Sequence, residues 1–110
     1  MNYKLLVIRT SGEVEKITVS KELELEVLQS LVSGYIECVP TAYPHIEMLV
    51  NEEGRLDGLA YNEVATKLQK CRYDMIVGDA VLCKIHGDRL VGLTPLEASM
   101  VIKYIRRKTK

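Results

Sequence analysis

Gly34-Tyr35-Ile36-Glu37-Cys38-Val39, then Ile46-Glu47-Met48-Leu49-Val50, then Asn51-Glu52-Glu53-Gly54-Arg55-Leu56-Asp57-Gly58-Leu59-Ala60-Tyr61-Asn62 form one stretch from which the architecture can be read. The first two runs are short and apolar, which predicts two strands. In the first, Ile36 and Cys38 share one face, and Tyr35, Glu37 and Val39 share the other. Pro40 and Pro44 bracket a rigid loop between the runs. The third run is an acidic connection whose Gly54 and Gly58 suit positive φ. It ends on Asn62, a natural cap for a helix with Val64, Ala65 and Leu68 inward, ending around Lys70 to Arg72.

The same strand, strand, helix unit is expected on either side. Tyr3 to Arg9 is apolar on both faces and reads as a covered strand. Thr10-Ser11-Gly12-Glu13 turns it into a β-branched strand from Val14 to Val19. Ser20 is the expected cap of the next helix, with Leu23, Val27, Leu28 and Leu31 inward and Gly34 at its C′ position. Beyond the connection from Asp74 to Asp79, Ala80 to His86 predicts a strand with Val81, Cys83 and Ile85 on one face. Gly87-Asp88 turns it back through Arg89 to Leu93. Thr94-Pro95-Leu96-Glu97 carries a capping box with Pro at the first helical position. The final helix then buries Leu96, Met100, Val101, Tyr104 and Ile105. The order ββαββαββα implies an α+β fold: a mixed or mainly antiparallel sheet of about six strands with three helices.

A chain of 110 residues fits one domain, 1–110. Fifteen basic residues balance fifteen acidic ones, so net charge does not point to nucleic acid or an anionic membrane. No apolar run approaches the roughly 18 residues of a membrane span. Cys38, Cys71 and Cys83 are odd in number and scattered, which favours reduced thiols and a cytoplasmic setting.

No catalytic signature is present. Cys83 and His86 are three apart on a strand and so face opposite ways; Cys83 and Cys38 read as inert core thiols. His45 and His86 are isolated and read as surface residues, so no metal site and no cofactor are expected. Asn51-Glu52-Glu53-Gly54 lacks the alternating acids of a calcium loop. Glu37 and Glu47 could act as a carboxylate pair or simply line a half-solvated sheet face. Tyr35, Tyr43 and Tyr61 could stack on a planar ligand or serve a protein interface. The basic Lys103-Tyr104-Ile105-Arg106-Arg107-Lys108 could touch phosphates or complement the end of its own helix.

Gly34-Tyr35-Ile36-Glu37, Asn51-Glu52-Glu53-Gly54-Arg55-Leu56 with Gly58-Leu59 and Asn62-x-x-Ala65, and Ile76-Val77-Gly78-Asp79-Ala80-Val81-Leu82 together resemble a family catalogued as domain of unknown function 3846. The resemblance covers roughly residues 30 to 95. It implies an accessory protein of phages and mobile elements, and it carries no catalytic residues over. Its recurring polar positions are Glu37, Glu53, Asn62 and Asp79. The expected function is a binding protein that sequesters or blocks a host factor. The factor is either a nucleotide-like defence signal or a host protein, with ligand contacts from Tyr35, Glu37, Tyr43, Glu53, Asn62 and Asp79. Self-association is expected with a nucleotide ligand. The alternatives are a small hydrolase or transferase using the strand carboxylates, and a nucleic-acid-binding regulator using the basic C-terminal helix.

Overall fold

The computed structural model describes residues 2–71 and 75–109. The predicted helix end at Arg72 and the start of the following connection at Asp74 lie outside them. Six strands form one antiparallel sheet: β1 (Tyr3–Ile8), β2 (Val14–Val19), β3 (Ile36–Pro40), β4 (Ile46–Asn51), β5 (Ala80–His86) and β6 (Arg89–Val91). The helices are α1 (Leu25–Val32), α2 (Glu63–Leu68) and α3 (Pro95–Lys108). The sheet runs β2-β1-β5-β4-β3, with β6 paired to β5 beyond the end of β1. The α+β class, the ββαββαββα order and the antiparallel hairpins stand as the sequence predicts.

Side-chain alternation divides the core in two. Leu6, Ile8, Ile46, Met48, Val50 and Leu82 face α2 and α3, where they meet Ala65, Leu68, Ala98, Val101 and Ile105. Leu5, Val7, Leu49, Val81 and Cys83 face α1, where they meet Leu28 and Val32. The central strands are covered on both faces, which is why β1 and β4 read as nearly unbroken apolar runs.

Three local expectations are corrected. First, α1 starts at Leu25 with Glu24, not Ser20, in the cap position. The segment before it pairs instead with β6: Leu23 N–H donates to Leu90 O, Gly92 N–H donates to Lys21 O, and Arg89 pairs with Glu22. Val27, expected inward, is exposed. Second, Ser33, not Gly34, takes the left-handed conformation that ends α1, at φ 64°. Gly34 is required by a close approach, since a Cβ there would lie 2.6 Å from the Asn51 amide. Third, α2 stops at Leu68, because Gln69 turns extended and bridges Thr41.

At the N-terminus of α3 the capping box forms in full. Thr94 Oγ1 accepts from Glu97 N–H at 3.2 Å, and Glu97 Oε1 accepts from Thr94 N–H at 2.8 Å. Glu97 Oε2 also accepts from Lys84 Nζ at 2.7 Å, tying the helix to β5. Partial burial pushes the Glu97 carboxyl up, yet these bonds together hold its pKa below the usual carboxylate value. Thr94→Ala is expected to cost about 1 kcal/mol, read as a lower urea midpoint at unchanged slope. The buried stripe of α3 is Ala98, Val101 and Ile105, with Tyr104 packed beside it. Leu96 and Met100, expected in that stripe, are 70% and 48% exposed.

Candidate functional site

A depression lies beside the edge strand β3, on the sheet face that carries α2 and α3. It is a groove of about 440 Å³, a volume within the range of small-ligand sites. Val39, Val50 and Ile76 form its apolar floor. One wall is the connection from Glu52 to Leu56; the other is Gln69 to Cys71, with Met75 and Val77 closing the end.

The walls are held by backbone bonds. Asn51, the last residue of β4, carries the first. Its Nδ2 donates to Val32 O and Ser33 O at 3.2 and 3.1 Å, satisfying the end of α1, while its Oδ1 accepts from Glu53 N–H at 2.7 Å. Leu59 N–H donates to Gly54 O and Asp57 N–H to Glu53 O, winding the connection tightly. Gly54 does not need positive φ, contrary to the sequence expectation. It is required because a Cβ there would meet Val77 Cγ2 at 2.7 Å, whereas Gly58 does take φ 69°. The second wall is drawn against β3 by Lys70 N–H donating to Pro40 O and Ala42 N–H donating to Leu68 O.

Glu37 comes from β3 on the same face as Val39, and Glu52 and Glu53 from the connection. Among the described residues none of these carboxylates is ion-paired. Arg55 donates to Met75 O across the groove end, and Lys70 stands on the opposite wall. Among the described residues the groove therefore has three carboxylates, two cations and an apolar floor. Such a set can hold a ligand by charge and burial, and the thiols of Cys38 and Cys71 also line it.

Of the six predicted contact residues, Glu37 and Glu53 meet at this groove and the other four do not. Tyr35 is 69% exposed and is not part of the groove lining. Tyr43 packs edge-on against Tyr104, with ring centroids 5.1 Å apart, and is not part of the groove lining. Tyr61 lines no part of the groove either. Asn62 is fully buried. Its Oδ1 accepts from Ala65 N–H at 3.0 Å, and its Nδ2 donates to Ile8 O and Gly78 O, both at 2.9 Å. Asp79 accepts from Arg9 Nη1 and Thr10 N–H, each at 2.9 Å, and braces the β1–β2 turn.

Glu37 and Glu47 do not form a pair. Glu37 is registered with Val50 and Glu47 with Pro40 and Cys83, on opposite faces of the sheet. Cys83 is buried as predicted, and burial first, then Cys38 and Glu47, pushes its thiol up to about 12. Cys38 is exposed, not in the core; partial burial and the neighbouring Glu47 and Glu37 raise its thiol too. Among the described residues no three His, Cys, Asp or Glu side chains converge as a metal set.

Sequence reasoning missed Asn51, Glu52, Arg55, Lys70 and Met75 as groove residues. The Asn-Glu-Glu-Gly run is a recognisable side-chain-capped turn and could have placed Asn51 and Glu52. Nothing local signals that residues 69–71 lie along β3.

Residues 2–107 match the model of the family described as Domain of unknown function (DUF3846), and the chain belongs to it. No curated protein and no solved structure matches the chain.

Proposed function

We propose that this DUF3846 member is a binding protein that captures a short basic and apolar segment of a host protein in the groove beside β3. The observation that carries the reading is the set of Glu37, Glu52 and Glu53 carboxylates, without an ion pair among the described residues, around the Val39, Val50 and Ile76 floor. An apolar side chain gains by covering the floor, and an arginine or lysine gains by meeting the carboxylates. Among the described residues, a nucleotide's phosphates would face the three carboxylates Glu37, Glu52 and Glu53. The family resemblance supports the setting: a phage or mobile-element accessory factor that blocks a host component.

The test is chemical-shift mapping of the full chain with arginine-leucine dipeptide and tripeptide amides, against cyclic and ADP-ribose-type nucleotides as the contrasting set. Shifts are expected at Glu37–Pro40 and Asn51–Leu56 with the basic peptides. Glu37→Lys with Glu53→Lys is expected to weaken them by about tenfold or more. Nucleotide binding that survives this double variant, with no response to the basic peptides, would sink the proposal.

A further inference from the structure

The groove asks for an occupant that is apolar and cationic, and the chain carries such a surface itself. Leu96 and Met100 stand exposed one turn apart on α3, and Lys103 and Arg107 continue the same stripe with Arg106 beside it. Met100, Lys103, Arg106 and Arg107 border a hollow of about 390 Å³ with Tyr43, and among the described residues no acidic one lines it. Among the described residues none of these three cations is ion-paired. The lip of the groove is its counterpart. Glu52 and Glu53 stand there with Leu56, 85% exposed, and Met75, 56% exposed. On a chain of zero formal net charge, Lys103, Arg106 and Arg107 on α3 and Glu52 and Glu53 at the lip, where Arg55 also stands, form two patches of opposite leaning, each with large exposed apolar side chains. Met, Tyr and Arg are the residues that association surfaces favour.

We infer that the α3 stripe of one copy seats on the groove lip of a second copy, with Lys103, Arg106 and Arg107 against Glu52 and Glu53, and Leu96 and Met100 against Leu56 and Met75. This rests on the reading of the groove as the binding site and names its occupant when no host segment is bound. The two patches differ, so the contact is head-to-tail. Charge draws the copies together and salt screens it. A captured host segment competes with it for the same lip.

The experiment is sedimentation velocity on the full chain over a concentration series. In about 50 mM salt the weight-average mass is expected to rise with concentration, and by about 500 mM salt to fall back to that of the monomer. Glu52→Lys with Glu53→Lys, and separately Arg106→Glu with Arg107→Glu, are each expected to weaken association at least about tenfold. An equimolar mixture of the two variants is expected to restore it, because each supplies the patch the other has reversed. All the substituted residues are exposed, and unchanged circular dichroism confirms that both variants fold. A wild-type chain that stays monomeric to about 1 mM in low salt, association indifferent to both reversals, or variants that stay apart when mixed would overturn the inference. A monomeric chain that still binds the basic peptides would overturn self-association alone and leave the proposed function standing.

Discussion

Replacing Asn62 by Ala is expected to cost about 3 kcal/mol or more of stability, because three buried backbone groups lose their partner at once. The Asn62 amide joins Ile8 O at the end of β1, Gly78 O before β5 and Ala65 N–H in the first turn of α2. Loss of the cap alone costs about 1 kcal/mol. Each buried carbonyl left unsatisfied adds about 1 to 3 kcal/mol. Urea unfolding of the variant would show it as a large drop in midpoint. Asn62→Asp is expected to be no milder, since a carboxylate would face two carbonyl oxygens and offer them no proton. An Asn62→Ala protein as stable as the wild type would refute this structural assignment.

Leu82→Ala carries the second large expectation, a loss of about 3 kcal/mol, with Leu96→Ala as its contrast at about 0.5 kcal/mol or less. Leu82 lies on the central strand β5, registered with Leu6 on one side and Met48 on the other. Val101 and Ile105 of α3 close over it. Truncation there leaves a cavity that three packed strands and a helix cannot fill without moving. Leu96 is a leucine of the same size in a helix of good periodicity, but it stands in solvent. A domain of this size has a total stability of about 5 to 15 kcal/mol, so the two leucines should be easily told apart by thermal or urea unfolding. Equal effects would mean that the phase of α3 against the sheet is wrong.

The helix α3 shows how far sequence reading reaches. Its start was legible because a capping box is a contact between residues three apart, written entirely in Thr94-Pro95-Leu96-Glu97. Its buried stripe was misread because periodicity gives the spacing of apolar positions, not which of two neighbouring stripes meets the sheet. Ala98 is small enough to seat the helix close, and that choice turned Leu96 and Met100 outward. The start of α1 was misread for a different reason. Ser20 had the right chemistry for a cap, but Lys21 and Leu23 found backbone partners in β6, about 70 residues further along the chain. A sheet bond competes directly with the first turn of a helix for the same groups.

The site residues follow the same division. Asn62 was recognised as a cap from its position, while the two carbonyls that hold its amide come from β1 and from Gly78. Asp79 meets Arg9 and Thr10, partners about 70 residues away in the chain. Glu37 and Glu53 line one depression, which is built from segments around residues 37–40, 50–56, 69–71 and 75–77.

Sequence alone was enough for the strands, the turns, the two side-chain caps at Asn62 and Thr94, and the ββαββαββα order, because each rests on contacts within a few residues. Only the tertiary structure settled which face of each element is buried, that Glu37 and Glu47 lie on opposite sides of the sheet, and that carboxylates from β3 and the connection after β4 share one groove. Those are matters of long-range register and packing, and a side chain's neighbours across a sheet leave no trace in its own stretch of sequence.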